Sequence, residues 1–365
     1  MMSARAQFTA AGDAGQVRWR PAEVTSPLLD RPVPVIAARD IPYVSHANRF
    51  QNLSIYLPRT PESAELVGTP ATSLPRADSP SRLPRYLVHV HGGAWRDPRL
   101  TSASIEPTVA WAFSGLSGAG PTPVAAIASL NYTVSQFGYP APPFMADPPV
   151  PYDAIKDNHT DLAREAVHPQ HVSDVLHGLA LLGSLGLSSG SYVLSGHSCG
   201  ACLAFQSVLQ APGRYGLGYL PEPPSPAALL GLNGLYDLPA LATAEGLGVS
   251  HAHLRDDYER LVSGAFGTDQ DTWLAVSPAS FDPADIAARI HEGNALRLVV
   301  LDQSSEDQLV PMNQKDRLTA ALAQVPGLRV AQGHRLTGKH AAPWEEGNTI
   351  YQTLLDTLRL LREDR

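Results

Sequence analysis

The sequence predicts an α/β fold in which helices cover both faces of a mostly parallel central sheet. Short apolar runs alternate along the chain with stretches of helical periodicity, which is the pattern of parallel strands joined by helices. A Gly-x-Ser-x-Gly segment, Gly196–Gly200, lies between an apolar run and a helical stretch. A His-Gly-Gly segment at 91–93 follows another apolar run. A chain of 365 residues is long enough for one such domain with insertions.

The individual elements follow from apolar spacing. We predict strands at 51–57, 86–90, 124–130, 192–194, 227–232, 296–301 and 328–332. We predict helices at 105–113, 171–185, 201–210, 313–324 and 348–361. Residues 238–291 are predicted to be mainly helical and to form a cap over the site.

Proline-rich segments divide the chain further. Residues 1–40 are weakly patterned, and their prolines predict an extended N-terminal arm ahead of a catalytic domain at 41–365. The stretches 58–84 and 136–160 are predicted to be insertions in surface loops.

Composition excludes several classes of protein. The net charge is −8 and the pI is near 5.9, so no basic surface for nucleic acid is expected. No apolar stretch suits a membrane span or a signal peptide, which favours a cytoplasmic protein without a membrane partner. Two cysteines make no disulfide framework. We expect a small-molecule substrate and no cofactor, and a homodimer is compatible with the sequence.

The serine in the Gly-x-Ser-x-Gly segment is a candidate nucleophile. Ser198 would stand on a sharp strand-to-helix turn, the nucleophile elbow of α/β-hydrolases. Glycines at 196 and 200 leave room for the backbone on either side. The N–H group of Cys199, at the helix start, would face an incoming anion.

A serine hydroxyl needs a base to take its proton, and the base needs an acid that holds it. In this fold the chain order is Ser, acid, His. Three acids follow the strand that ends at Leu301, namely Asp302, Glu306 and Asp307. We favour Asp307 because it lies a few residues beyond the strand end. For the base we favour His340, in a loop before the last helix, over His334, which is expected within the last strand.

The His-Gly-Gly segment supplies a candidate oxyanion loop. Its glycines would let backbone N–H groups turn inward, so Gly92, Gly93 and Ala94 are candidate donors together with Cys199. His91, Trp95 and His197 are motif residues that are candidates for the pocket wall.

Other patterns carry weaker hypotheses. Cys199 and Cys202 form a Cys-x-x-Cys pair. Two buried thiols are a simpler interpretation of this pair than a redox motif. The pairs His89/His91 and His251/His253 lack a third ligand at suitable spacing, so no metal is expected. Trp111, Trp273 and Trp344 are interpreted as core or lid residues, any of which could line the pocket.

Together these motifs resemble the fungal-type kynurenine formamidases (arylformamidases) of the α/β-hydrolase superfamily. The resemblance rests on His91-Gly92-Gly93-Ala94-Trp95, on Gly196–Gly200, and on Asp307 and His340. The segments Asn233–Leu238 and Ala265-Phe266-Gly267 add to it. Hormone-sensitive-lipase-like esterases share the His-Gly-Gly loop and the elbow.

The resemblance implies a serine hydrolase that cleaves N-formyl-L-kynurenine to formate and L-kynurenine, a step of tryptophan catabolism toward NAD biosynthesis. A short-acyl carboxylesterase is the alternative, since nothing in the three residues themselves chooses an amide over an ester. A non-catalytic binding protein of the same fold is a third hypothesis, against which the intact Ser, Asp and His argue.

Overall fold

The computed structural model describes residues 14–74, 84–115, 123–139, 149–291 and 294–363. Within these residues nine strands form one sheet. The strands are β1 (Arg20–Val24), β2 (Val33–Pro42), β3 (Asn52–Pro58), β4 (Tyr86–Val90), β5 (Ala126–Leu130), β6 (Tyr192–His197), β7 (Ala228–Leu232), β8 (Leu298–Asp302) and β9 (Arg329–Gln332).

Twelve α-helices are assigned in the same described ranges. They are α1 (Pro61–Ala64), α2 (Glu106–Phe113), α3 (Gln170–Ser184), α4 (Cys199–Leu209), α5 (Leu238–Leu241), α6 (Ala244–His251), α7 (Arg255–Phe266), α8 (Gln270–Val276), α9 (Pro283–His291), α10 (Asn313–Leu322), α11 (Ala342–Glu346) and α12 (Asn348–Glu363). None of them is long and apolar enough to cross a membrane.

The strand order is β1-β2-β3-β5-β4-β6-β7-β8-β9. The six strands from β5 to β9 in this order run parallel to one another. The first three strands are joined by antiparallel pairing, and β3 is antiparallel to β5. The predicted fold class, a mostly parallel sheet covered by helices, is confirmed.

Both faces of the central strands are buried, which explains their continuous apolar character. Along β4, Leu87 belongs to the core under α2 and α12, whereas Val88 belongs to the core under α3 and α4. Side chains alternate between the two faces of a strand, so a run such as Tyr86–Val90 supplies both cores at once.

The parallel register brings several loops to one edge of the sheet. Val90 pairs with Gly196, His197 with Leu232, and Leu232 with Asp302. The loops that follow β4, β6, β8 and β9 therefore open at the carboxyl edge, where ligands bind in open α/β sheets.

The N-terminal region differs from the arm predicted at 1–40. Within its described part, β1 and β2 pair with each other, and β2 also pairs with β3. Val33 and Val35 are buried in the core under α2 and α12, and Ile36 is buried in the core on the other face of the sheet. Proline suits an edge strand, which is where Pro21 lies, so the prolines there did not exclude a strand. Parts of both predicted insertions, 75–83 and 140–148, lie outside the described residues.

Candidate active site

Ser198 stands on a strained turn between β6 and α4. Its backbone has φ 55° and ψ −125°, a conformation that residues other than glycine rarely adopt. The Ser198 N–H donates to the Leu232 carbonyl at 2.9 Å, which ties the turn to the neighbouring strand. Strain of this kind is found where a fold presents a reactive side chain, as at the nucleophile elbow.

The flanking glycines are required by close backbone contacts. A Cβ on Gly196 would lie 2.3 Å from the Gly200 carbonyl oxygen. A Cβ on Gly200 would lie 2.3 Å from the carbonyl oxygens of both Val90 and His91. The glycines thus let α4 begin directly against the loop after β4.

That loop has three consecutive residues with positive φ: Gly93 at 107°, Ala94 at 54° and Trp95 at 59°. Gly93 and Ala94 line the same pocket as Ser198. No backbone carbonyl of the described residues accepts a hydrogen bond from the N–H of Gly93 or Ala94, or from that of Cys199 at the start of α4. The N–H groups of Ala94 and Cys199 instead lie within reach of the Cys199 sulfur.

Two buried side chains support this loop from behind. The Tyr132 hydroxyl lies 3.1 Å from the His91 carbonyl oxygen and 2.9 Å from that of Gly92. It also lies 3.3 Å from Cys199 Sγ, which accepts a hydrogen bond from the Trp95 N–H at 3.2 Å. The side chain of Cys199 therefore joins the start of α4 to the loop.

Asp307 and His340 meet across the loops after β8 and β9. His340 Nδ1 lies 2.8 Å from Asp307 Oδ2. The other carboxylate oxygen accepts from the N–H groups of Leu309 and Val310, each at 2.9 Å. The His340 N–H donates to Gln308 Oε1 at 2.9 Å. His340 also lines the Ser198 pocket.

The two competing acids, Asp302 and Glu306, have hydrogen-bond partners other than His340. Asp302 Oδ2 accepts from the Arg335 N–H and from the Thr353 hydroxyl, each at 2.9 Å. Glu306 is exposed and accepts from the Gly338 N–H at 3.2 Å. His334 is exposed and lies just beyond β9, not within the last strand as the sequence predicts.

Of the three motif residues predicted to line the pocket, which are His91, Trp95 and His197, the structure places one in the pocket wall. His197 lines the pocket, and its Nε2 lies 2.9 Å from the His340 carbonyl oxygen. Burial lowers the pKa of His197 well below its ordinary value, so its neutral imidazole donates there from Nε2.

His91 and Trp95 lie behind the loop and line no part of this pocket, which corrects the prediction for both. The His91 ring stacks on Tyr132 with 4.5 Å between centroids. Trp95 packs edge-on against Phe266, with 5.0 Å between centroids. Ala94 and Trp95 both have positive φ, and the Trp95 indole is fully buried.

The pocket has a volume of about 200 Å³ and is partly open to solvent. Sequence reasoning missed most of its wall. Arg96 and Asp97 follow the loop after β4, and Asp257, Tyr258 and Leu261 come from α7. The position of Arg96 in the sequence, directly after the His-Gly-Gly-Ala-Trp run, was a signal that could have predicted this residue in the pocket wall. Trp344 lines the pocket, whereas Trp273 is buried and donates to the Gly267 carbonyl.

The weaker motifs do not form a second site. Cys199 and Cys202 are buried free thiols, and burial raises the pKa of Cys199 to about 11. His89 Nδ1 lies 2.9 Å from Ser195 Oγ inside the sheet. Across the described ranges, no group of three or more His, Cys, Asp or Glu side chains is placed to hold a metal ion.

The chain has the α/β-hydrolase fold, which solved esterase structures share. Esterase B from Lactobacillus rhamnosis superposes with a TM-score of 0.55 at 15% identity, over 92% of this chain and 90% of that one. No protein-family model matches the chain.

Comparison with curated sequences finds similar hydrolases. The chain is 28% identical to the kynurenine formamidase-like hydrolase fscH of Fusarium equiseti, over 88% of this chain and 95% of that protein. It is also 28% identical to the kynurenine formamidase avaC of Aspergillus versicolor, over 73% and 87% respectively. The chain is therefore similar to the kynurenine formamidase-like hydrolases over most of its length.

Proposed function

We propose that this protein hydrolyses the formyl amide of N-formyl-L-kynurenine, with Ser198 as nucleophile, His340 as base and Asp307 as the acid that holds it. The hydrolase part of the proposal is supported by His340, which contacts Asp307 and lines the pocket that also presents Ser198. The choice of substrate is supported by the similarity to kynurenine formamidases.

In the proposed reaction His340 takes the Ser198 proton as the serine oxygen attacks the formyl carbon. Asp307 stabilises the imidazolium that forms. The N–H groups of Gly93, Ala94 and Cys199 face the oxyanion; in well-studied hydrolases one such donor accounts for about 10²–10³ in rate. His340 then protonates the leaving aryl amine as the C–N bond breaks. Water, deprotonated by His340, releases formate and restores Ser198.

The pocket suits this acyl group. A formyl group has no alkyl chain, so its volume needs only the space next to Ser198 and the Gly93–Ala94 backbone. The apolar wall around Leu235 and Trp344 is left for the aryl ring of the leaving amine.

Steady-state kinetics on N-formyl-L-kynurenine and on 4-nitrophenyl acetate test the proposal. We expect kcat/KM for the formamide to exceed that for the ester, and Ser198→Ala to abolish both. Rapid ester turnover beside negligible formamide turnover would instead support the short-acyl carboxylesterase. Full activity of Ser198→Ala would rule out the proposed nucleophile.

A further inference from the structure

A guanidinium group lies in the wall of the pocket that presents Ser198. Arg96 directly follows the loop that contains Gly93 and Ala94, and it lines the pocket together with Ser198 and His340. Its Cζ lies 4.6 Å from the centroid of the buried Phe137 ring. An arginine stacked on an aromatic face keeps its fork of N–H donors in a defined plane.

The Arg96 guanidinium has an N–H donor that no acceptor of the described residues binds. Its Nε is buried and has no hydrogen-bond partner in the described part of the chain. Leaving a buried donor of a charged group unpaired is costly, and within the ranges described above the protein supplies no acceptor on the Nε side of the guanidinium to offset that cost. Burial lowers the pKa of Arg96 to about 10, an effect that Asp257 opposes, so the group stays charged at neutral pH.

The nearby carboxylates have cations of their own. Asp97 binds Arg99 through both oxygens, Oδ1 to Nε at 3.1 Å and Oδ2 to Nη2 at 3.0 Å. Asp257 pairs with Arg260. No ion pair of Arg96 itself is found among the described residues.

The remainder of the wall is largely apolar. Its hydrophobic side chains are Leu100, Leu235, Leu254, Leu261, Leu309 and Trp344. In ligand sites of this kind, a few polar groups in an apolar wall orient the ligand. A planar guanidinium matches a carboxylate through two parallel hydrogen bonds.

We infer that Arg96 binds the carboxylate of a leaving amine that carries an amino-acid end, and so selects amino-acid substrates over plain aryl formamides. The inference deepens the proposed function and rests on it for the identity of the amine.

Direct binding tests this without turnover. In a Ser198→Ala background, calorimetry gives the Kd of L-kynurenine, of its methyl ester and of 2-aminoacetophenone, which keeps the aryl ketone but lacks the amino-acid end. We expect Arg96→Gln to weaken kynurenine binding by about 10- to 100-fold, as for a hydrogen bond to a charged group. Binding of the two ligands without a carboxylate should stay within about twofold.

Two further variants make the result specific. Arg49 also lies over a phenyl ring, that of Phe50 at 4.9 Å, but it is not among the residues that line the pocket. Arg49→Gln should leave all three Kd values unchanged. Arg96→Lys keeps the charge without the fork and should give an intermediate Kd for kynurenine, which also guards against a folding defect of Arg96→Gln.

Equal weakening of all three ligands, no weakening of kynurenine, or no kynurenine binding with Arg96 present would overturn the inference. These outcomes are separable from a failure of the proposed function. A wild-type enzyme without formamide turnover whose Ser198→Ala form binds kynurenine through Arg96 would contradict the function alone. An enzyme with formamide turnover but no effect of Arg96→Gln would contradict the inference alone.

Discussion

At the scale of single residues, the carboxylate of Asp307 divides its oxygens between two tasks. One oxygen contacts His340 Nδ1, and the other accepts the N–H groups of Leu309 and Val310. The backbone bonds fix the carboxylate so that its free oxygen points at the imidazole. Such an arrangement holds a histidine in one tautomer and orientation.

Asp307→Asn and Asp302→Asn should therefore fail in different ways. We expect Asp307→Asn to lower kcat by several orders of magnitude, about 10⁴ in serine proteases. The Leu309 and Val310 N–H groups would hold the amide oxygen, so the amide NH2 would face His340 Nδ1, donate to it and hold the imidazole in the wrong tautomer.

Asp302→Asn should instead lower the free energy of unfolding by about 1–3 kcal/mol. The reason is that Asp302 accepts hydrogen bonds from the Arg335 N–H, just after β9, and from the Thr353 hydroxyl of α12. Kinetics and urea unfolding of both variants check this, and a severe loss of kcat confined to Asp302→Asn would reverse our assignment of the acid.

At the scale of elements, the loop after β4 owes its shape to neighbours on two other elements. Three successive residues with positive φ are unfavourable unless the surroundings hold them. Tyr132, just after β5, and Cys199, at the start of α4, provide contacts to the loop. We infer that they position its N–H donors without touching the substrate.

Tyr132→Phe should accordingly lower kcat by about 10- to 100-fold, because small displacements of catalytic donors have effects of that size. KM should change little. Tyr56→Phe is the matched control, since Tyr56 is a buried tyrosine on β3 whose hydroxyl binds Glu106, outside the pocket. An unchanged kcat in Tyr132→Phe, with normal stability, would show that the loop holds its shape without this hydroxyl.

At the scale of the whole molecule, several histidines are buried in the core in the neutral form. Burial lowers the pKa of His89 and of His171 to about 3, and that of His91 to about 4. His168 is half-buried, and its partial burial also lowers its pKa to about 4. In the unfolded chain these groups titrate near 6.5. Between these values the unfolded state binds more protons than the folded state, so acid favours unfolding.

The free energy of unfolding should thus be fully retained above about pH 6.5 and fall as the pH drops toward 4. Each such histidine contributes a slope of at most about 1.4 kcal/mol per pH unit. Urea unfolding at pH 7, 6 and 5 measures the slope. His171→Gln should make it shallower, whereas His334→Gln, which removes an exposed imidazole, should not. A slope that does not change in His171→Gln would contradict the assignment of a depressed pKa to this histidine.

The fold class followed from the sequence because its signals are local. Apolar runs, helical spacing and the strand-turn-helix around Ser198 each involve residues within one stretch of chain. The strands β1 and β2 escaped prediction because prolines mask their pattern and because β1 is largely exposed, so that only the pairing of β1 with β2 and of β2 with β3 identifies them as strands. The candidate nucleophile was equally visible, since a serine between two glycines at a strand end needs no distant partner to be noticed.

By itself, then, the sequence determined a mostly parallel α/β fold with a candidate serine nucleophile and a candidate oxyanion loop. The tertiary structure decided which of three neighbouring acids reaches His340, that His91 and Trp95 lie behind the loop, and that Arg96 faces the pocket. The physical reason is that these outcomes depend on contacts between segments far apart in the chain. Asp302, Glu306 and Asp307 share almost the same local sequence, and only the packing of the loops after β8 and β9 gives each a different partner.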